Sequence, residues 1–233
     1  MLHQTLRIQG RAWFMGDLHG CFGQLREQLF EVGFNPGRGD VLIGVGDLID
    51  RGPDNLACLN LLQHSWFHTV LGNHEDMMLD ALQSDDPDAK LLWQRNGGGW
   101  FYRLAADERQ QVRDLLPKMA TLPLVLTVET PAGRIGVVHA DPATHDWREL
   151  DDTFCQQHRR TLLWERNRIM ELLLGGRCNS VISGIDRVVL GHTPMRGDWL
   201  QQGNLCWLDT GATYHGHLTL LCDEELLASQ PFT

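Results

Sequence analysis

Short apolar segments alternate with stretches of helical periodicity through the first part of the chain. Three of these segments, residues 12–15, 41–45 and 67–71, have the length of buried strands, and each is followed at once by a glycine. After the first segment, apolar residues recur at helical spacing as far as Gly33, which suits the C-terminus of a helix. Strand, loop and helix repeated in this order predict parallel strands joined by crossover helices.

The pattern changes beyond the third repeat. Residues 75–120 contain an acidic break at 85–88 and a glycine-rich break at 96–99, and they predict a mostly helical insertion. Two apolar segments, 124–129 and 135–138, then flank a Pro-Ala-Gly turn, which predicts a hairpin. Further short apolar segments follow at 188–190, 205–208 and 218–222.

Several of the later segments can pair antiparallel, whereas the first three favour parallel pairing. We therefore expect an α/β (α+β) fold in which two packed, mixed β-sheets are flanked by helices. The sequence contains neither an internal repeat nor a long linker, so we expect a single domain spanning residues 1–233.

Charge and cysteine content narrow the classes of function. The chain has 30 acidic and 20 basic residues, a formal net charge of -10 and no run of Lys or Arg, which disfavours binding to nucleic acid. Its N-terminus lacks a signal-peptide pattern and no apolar stretch has membrane-spanning length, so we expect a cytoplasmic protein that does not bind membranes. Because no two cysteines have the spacing of zinc or redox motifs, we expect reduced, mostly buried thiols at Cys21, Cys58, Cys155, Cys178, Cys206 and Cys222.

Polar residues with metal-binding atoms follow five of the predicted strands. Because the carboxyl ends of strands in α/β sheets form a common crevice, we expect these residues to converge there. Together they offer carboxylate, amide and imidazole ligands, enough for two cations if one carboxylate, for which we choose Asp47, is shared. Taken singly, each Asp could be an ordinary turn residue and each His an ordinary polar group. The candidate ligands are Asp17, His19, Asp47, Asn73, His139 and His192.

Such a pair of cations has a defined chemistry. Two metal ions roughly 3.5 to 4 Å apart can share a water, lower its pKa to about 7 and hold phosphate oxygens during in-line attack. The predicted nucleophile is therefore a metal-bridging hydroxide. The mixed oxygen and nitrogen ligands favour Mn2+, with Fe or Zn as alternatives, because imidazole is a poor ligand for magnesium and calcium.

The motifs that contain these residues resemble the signature blocks of the metal-dependent phosphoprotein phosphatases. The first blocks are GDLHG at 16–20, GDLIDRG at 46–52 and GNHE at 72–75. The likeness is greatest for the small phage lambda-type and bacterial serine/threonine phosphatases. It implies a four-layer metallophosphoesterase sandwich that removes phosphate from serine, threonine or tyrosine residues of phosphorylated proteins. The later motifs are VHA at 138–140, WER at 164–166, GHT at 191–193 and DTG at 209–211.

The resemblance also implies how the ligands are divided between the two metal ions. One ion would be held by the residues that follow the first two strands, namely Asp17, His19 and Asp47. The other ion would share the Asp47 carboxylate. Its full set of ligands would be Asp47, Asn73, His139 and His192.

Further roles follow from the same resemblance. His74 would protonate the leaving oxygen, with Asp50 orienting it, and an alkoxide leaves poorly unless it is protonated. Arg51 and Arg166 would bind the phosphate, together with Asn73, because a planar guanidinium contacts two phosphate oxygens at once.

At one position the sequence departs from the protein phosphatases, so other substrates remain alternatives. The residue before Gly72 is often Arg in protein phosphatases of this type but is Leu71 here, as in the related dinucleoside tetraphosphate hydrolases. Asp50 and Glu75 point the other way, because those hydrolases tend to lack the first carboxylate and to carry Asp at the second position. A phosphodiesterase and a catalytically inactive metal-binding module are further alternatives, and the intact Asp50, His74 and Arg51 argue against the inactive module.

Two other features each allow two interpretations. The GGGW segment at 97–100 is either a substrate-facing loop or a turn anchored by a buried Trp100. Asp209 either supports a metal-binding histidine or ends a strand.

Overall fold

Two mixed β-sheets form the centre of the molecule. The computed structural model describes residues 1–176 and 179–229, so Cys178 lies outside the described residues. The strands are β1 (His3–Arg7), β2 (Ala12–Met15), β3 (Val41–Gly44), β4 (Phe67–Thr69), β5 (Val125–Glu129), β6 (Arg134–Val138), β7 (Arg187–Leu190), β8 (Leu200–Gln202), β9 (Leu205–Trp207) and β10 (Leu220–Cys222).

Helices connect and cover these strands. The α-helices are α1 (Phe22–Glu31), α2 (Asn55–Asn60), α3 (Asn73–Gln83), α4 (Pro87–Arg95), α5 (Ala106–Met119), α6 (Asp152–Gln157), α7 (Arg159–Trp164), α8 (Asn167–Leu173), α9 (Ala212–His215) and α10 (Asp223–Ala228). Short 3-10 helices lie at Pro36–Arg38, Leu61–Gln63, Gly98–Arg103 and Trp147–Glu149. Among the described residues, no helix is both long and apolar enough to cross a membrane.

The first three repeats of the sequence form the smaller sheet, whose strand order is β10-β2-β3-β4. Strands β2, β3 and β4 are parallel, and α1 and α2 lie between them along the chain, as the alternating pattern predicts. The larger sheet has the order β1-β5-β6-β7-β9-β8. It contains the predicted hairpin, in which β5 and β6 pair antiparallel with Val125 opposite Val138.

The two sheets pack face to face. Phe14 and Ile43 of the smaller sheet belong to the same buried cluster as Leu126 and Val137 of the larger sheet, so this cluster lies between them. Side chains alternate across a strand, and the neighbouring residue Trp13 therefore faces the opposite side, where it joins a second cluster with helical residues. Helices thus flank two mixed sheets, which confirms the predicted fold class.

Two strands at the edges of the larger sheet escaped prediction because their sequences lack an apolar run. β1 and β8 are the outermost strands of the larger sheet. An edge strand is solvated on one side and needs fewer apolar residues, and β1 has no fully buried residue. Its sequence, HQTLR, therefore lacks the apolar run that identified the central strands.

Candidate metal centre and active site

Loops from both sheets converge at one edge of the molecule. Asp17 and His19 follow β2, Asp47 follows β3, and Asn73 begins α3 just after β4. From the larger sheet, residues 139 and 192 follow the parallel strands β6 and β7. The structure thus brings all six candidate ligands together, and each is buried: Asp17, His19, Asp47, Asn73, His139 and His192.

The Asp47 carboxylate lies at the centre of this group. Its Oδ2 is 3.6 Å from Nε2 of His19, and its Oδ1 is 3.5 Å from Nε2 of His139. Each carboxylate oxygen therefore faces a different imidazole. Among the described residues, two trios have ligand atoms close enough for one ion, and both contain Asp47: His19, Asp47 and His74, and Asp47, His139 and His192.

Hydrogen bonds hold the imidazoles in the form that binds metals. Nδ1 of His19 contacts the carbonyl of Ile49, and Nδ1 of His139 contacts that of Val45, each at 2.7 Å. A carbonyl only accepts, so in both rings Nδ1 carries the proton and the Nε2 lone pair faces Asp47. Such carbonyl partners are typical of metal-binding histidines.

In His192 the two ring nitrogens have exchanged roles. Its Nε2 donates to the carbonyl of Trp164 at 3.1 Å, which leaves the lone pair on Nδ1. That atom lies 2.9 Å from Oδ1 of Asn73, and the same amide oxygen is 2.9 Å from Nε2 of His139. Two imidazole lone pairs thus converge on one amide oxygen, an arrangement that a cation between them would stabilise.

Burial keeps these imidazoles uncharged. Desolvation lowers the pKa of His19 to about 3 and that of His192 to about 3. A neutral imidazole is the form that ligates a metal, so neither ring has to lose a proton on binding near neutral pH.

Burial raises the pKa of carboxyl groups at the site, because it disfavours their ionised form. Burial, followed by the nearby charges of Asp209 and Asp47, raises the pKa of Asp17 well above its usual value. Burial also raises the pKa of Asp209 to about 6. Buried carboxylates so close together need positive charge to remain ionised, and divalent cations supply it. The donor set therefore fits divalent metal ions.

Backbone strain is concentrated at the same place. Non-glycine residues rarely adopt positive φ, and among the described residues six do so. Five of the six belong to the candidate site, where positive φ lets a short side chain leave the end of a strand and point inward. They are His19, Asp47, Asp50, Arg51 and His192.

Glu75 fastens the loop that carries Asp47. Its carboxylate accepts the backbone N–H groups of Asp47 at 2.8 Å, Leu48 at 2.9 Å and Gly72 at 3.1 Å. The first turn of α3 is thereby joined to the end of β3. This clamping role was not foreseen from the sequence, where Glu75 served only as part of a motif and in the choice between substrate classes.

His74 and Asp50 form a buried pair beside Asp47. Nδ1 of His74 donates to Oδ2 of Asp50 at 2.7 Å, so Nε2 is directed towards Asp47, 3.9 Å from its Oδ2. Burial lowers the pKa of His74, but the Asp47 and Asp50 carboxylates outweigh it and raise the pKa above its usual value. A protonated His74 near neutral pH is suited to donate a proton.

The predicted phosphate-binding arginines line the same cavity. This cavity of about 270 Å³ is bordered by Arg51, Asn73, His74 and Arg166. Arg166 donates to the carbonyl of His192 at 3.1 Å. Nη1 of Arg51 contacts Nε2 of His19, the nitrogen with which His19 would bind a metal ion.

Aromatic side chains that the sequence did not identify as functional complete the surroundings. Trp164 and Tyr214 line the cavity and are partly exposed, and the guanidinium of Arg51 lies 5.5 Å from the Tyr214 ring centre. Trp100 is buried and donates to Asp50, which decides the GGGW segment in favour of an anchored turn. Trp93 donates to the same carboxylate, and no motif in the sequence pointed to it.

Comparison with known families shows to which family the chain belongs. The model of the calcineurin-like phosphoesterases matches residues 10–219. The chain belongs to this family. As a calcineurin-like phosphoesterase it carries a site for divalent metal ions, and the residues described above are the candidates to form it.

Individual relatives of this phosphoesterase differ in the substrates they are named for. It is 42% identical over 211 residues to serine/threonine-protein phosphatase 1 of Salmonella typhimurium, with 90% of each chain covered. A symmetrical bis(5'-nucleosyl)-tetraphosphatase of Shewanella baltica is 39% identical, but over only 36% of each chain. A crystal structure provisionally described as a diadenosine tetraphosphatase superposes with a TM-score of 0.65 at 25% identity, covering 95% of this chain and 93% of the other.

Proposed function

We propose that this phosphoesterase removes phosphate from phosphoserine and phosphothreonine in proteins, with phosphotyrosine as a further candidate. The observation that carries the proposal is the buried hydrogen bond of 2.7 Å between His74 and Asp50, beside the carboxylate of Asp47. A paired imidazole at this position suits a reaction whose leaving group is an alkoxide, because the alkoxide must be protonated.

The proposed cofactor is a pair of divalent ions, Mn2+ first, with Fe or Zn as alternatives. The neutral imidazoles, the shared carboxylate and the raised pKa of Asp17 support two adjacent cations. When bound, the ions supply positive charge that acidifies water and polarises phosphate oxygens. We assign Asp17, His19 and Asp47 to one ion, and to the other Asp47, Asn73, His139 and His192.

For His74 the geometry allows two roles, proton donor or metal ligand. Its Nε2 belongs to the trio with His19 and Asp47 and could itself ligate an ion. We favour the acid role because the Asp47 and Asp50 carboxylates together raise the pKa of His74, and a ligand must lose its proton. Metal analysis of a His74 variant separates the two roles.

The phosphate would be held by Arg51 and Arg166, whose side chains border the same cavity as His74. Guanidinium groups remain charged and each can contact two phosphate oxygens. Asn73, which borders the same cavity, would contribute its amide. These contacts would hold the phosphate in the cavity that His74 also borders.

The phosphoprotein substrate is supported by the relative from Salmonella typhimurium, whose similarity extends over 90% of both chains. Leu71 and the structure described as a diadenosine tetraphosphatase favour a dinucleoside tetraphosphate as the second candidate. Sequence similarity to the tetraphosphatases covers about a third of the chain, which makes this alternative weaker.

Parallel assays test the choice. The purified protein with Mn2+ would be offered a phosphoserine peptide, diadenosine tetraphosphate and bis-p-nitrophenyl phosphate. We expect the highest kcat/KM on the phosphopeptide. A preference of about 100-fold for the dinucleotide, equivalent to about 2.7 kcal/mol of transition-state binding, would replace the first candidate by the second, and no hydrolysis of any substrate would favour the inactive module.

A further inference from the structure

The carboxylate of Asp50 is surrounded by donors that have no obvious part in the proposed reaction. Asp50 is fully buried, and His74 occupies only one position on its Oδ2. The indole Nε1 of Trp100 donates to Oδ1 at 2.7 Å. The indole Nε1 of Trp93 lies 2.9 Å from Oδ2 and 3.1 Å from Oδ1. Two tryptophans and one histidine thus share a single carboxylate.

Both tryptophans come from the helical segment after α3. Trp93 is in α4, Trp100 is in the 3-10 helix Gly98–Arg103, and their rings meet edge to face with centres 6.3 Å apart. Trp93 is fully buried and Trp100 is 6% exposed. A phenylalanine ring would fill much of the same volume, so packing alone does not explain why both side chains present an N–H group to Asp50.

Glycines allow this close approach. A Cβ at Gly98 would lie 2.3 Å from the Trp93 ring, and a Cβ at Gly97 would lie 2.9 Å from the backbone nitrogen of Arg51. Gly97 also has φ of 116°, which favours glycine. The segment is therefore shaped to press both indoles against the end of the loop that carries Asp50.

We propose that Trp93 and Trp100 are positioning residues for proton transfer, which act by fixing the Asp50 carboxylate so that it holds His74 towards the leaving oxygen. This proposal rests on the acid role of His74 in the proposed function. When the P–O bond breaks, its electron pair goes to the leaving oxygen, which takes the proton from Nε2 of His74. The direction of Nε2 depends on the bond at Nδ1, and that bond depends on where the carboxylate lies.

The indoles make that carboxylate rigid. A carboxylate can rotate about its Cβ–Cγ bond, and a single partner at Oδ2 leaves the other oxygen free to move. Trp100 fixes Oδ1, and Trp93 bridges both oxygens. Removing either N–H leaves a buried charged oxygen with fewer donors, and the group would turn towards other partners.

Two substrates with different leaving groups distinguish a loss of positioning from general damage to the site. Serine leaves as an alkoxide and depends on an acid, whereas p-nitrophenolate is a good leaving group and needs little protonation. We expect Trp93→Phe and Trp100→Phe to lower kcat on a phosphoserine peptide about 10-fold or more relative to kcat on p-nitrophenyl phosphate. KM for both substrates should stay near its original value.

Trp147 provides a matched control. It is buried, and its Nε1 donates to Thr127 at 2.8 Å, away from the candidate site. Trp147→Phe removes an indole N–H from the interior in the same way. It should leave the ratio of the two kcat values unchanged, whereas a change in that ratio equal to that in the Trp93 and Trp100 variants would overturn the proposal.

His74→Asn separates failure of this inference from failure of the proposed function. If His74→Asn lowers kcat equally on both substrates, the acid role itself is wrong. If it selectively affects the phosphopeptide but Trp93→Phe and Trp100→Phe do not, the acid role stands and the positioning role is overturned.

A second measurement does not depend on activity. In the metal-free protein, the Nδ1 proton of His74 should give a downfield proton resonance because it is bound to a buried carboxylate. Trp93→Phe and Trp100→Phe should shift this resonance or speed its exchange with water, and Trp147→Phe should not. An unchanged resonance in both folded variants would contradict the proposal, and either variant suffices if the other fails to fold.

Discussion

The carboxylate of Asp17 accepts the backbone N–H of His192 across 175 residues of chain, at 3.0 and 3.1 Å. Asp17 follows a strand of the smaller sheet and His192 follows a strand of the larger one. The candidate metal centre therefore lies on the seam between the two sheets. Ligands from both sides are needed to build it, and whatever binds there also joins the sheets.

Metal binding should stabilise the fold, and Asp47 should be the residue on which this depends most. Because its two carboxylate oxygens face different imidazoles, Asp47→Asn should reduce the metal content from about two ions to one or none. At a free Mn2+ concentration about 100 times Kd, the intact protein should gain about 2.7 kcal/mol of stability. Thermal unfolding and elemental analysis, with and without a chelator, measure both effects.

Asp146→Asn serves as the control for that experiment, because Asp146 pairs with Arg148 at the surface. It should bind metal and respond to it like the original protein. Equal metal content in the Asp47 and Asp146 variants would rule out a bridging role for Asp47.

Metal binding should also release protons, and one source should be the carboxyl groups of Asp17 and Asp209. In the metal-free site, burial raises the pKa of Asp209 to about 6, and the pKa of Asp17 is raised as well. His19 and His192, with pKa values lowered to about 3 by burial, carry no proton to release near pH 6. At a pH below its raised pKa, the carboxyl group of Asp209 holds its proton until metal binds. The release attributable to Asp209 should therefore be larger at pH 5.5 than at pH 7.5.

Calorimetric titration with Mn2+ in buffers of different ionisation enthalpy counts these protons. Asp209→Asn should reduce the proton release at pH 5.5 more than the release at pH 7.5. A release that stays constant across this range, or one unaffected by Asp209→Asn, would contradict the assignment to Asp209.

His74→Asn should separate proton donation from metal binding. The imidazole pairs with Asp50 through Nδ1, so its loss should lower kcat on a phosphoserine peptide by about 100-fold to 10,000-fold without removing metal. The measurement combines steady-state kinetics with elemental analysis of the same sample. Loss of one equivalent of metal would instead make His74 a ligand, as its place in the trio with His19 and Asp47 permits.

The sequence predicted the central strands and the convergence of their ends because both depend on local patterns. Apolar runs ending in glycine identified β2, β3 and β4, and parallel strands necessarily bring their carboxyl ends to one edge. β1 and β8 were missed because their sequences, HQTLR and LQQ, are mostly polar and contain no apolar run.

Contacts between distant side chains were harder to foresee. Nothing in the spacing of Trp93 indicates that its indole meets Asp50, 43 residues earlier in the chain. The same limit applies to Tyr214, whose place at the cavity depends on how α9 sits beside Arg51. Such contacts depend on how helices pack over the strand ends, and periodicity carries no information about that packing.

Arg166 should matter for phosphate binding through its shape as well as its charge. Arg166→Lys keeps the positive charge but loses the planar pair of donors, so we expect KM for a phosphopeptide to rise about 10-fold with a smaller change in kcat. Arg148→Lys, at an exposed arginine paired with Asp146, is the matched control and should change neither constant. Equal KM values for the two variants would place Arg166 outside the phosphate site.

The glycine run at 97–99 offers a stability test with a control built into the sequence. Gly98→Ala would place a Cβ 2.3 Å from the Trp93 ring, which is buried and cannot move aside, so we expect a loss of about 1 to 3 kcal/mol. At Gly99 the nearest atom is the end of the flexible Arg103 side chain, at 3.4 Å, so Gly99→Ala should be close to neutral. Urea unfolding of the two variants measures the difference. The clash also pushes Trp93 away from Asp50, so Gly98→Ala should lower kcat on a phosphoserine peptide more than on p-nitrophenyl phosphate. Equal stability of the two alanine variants would show that the segment packs less tightly than this contact requires.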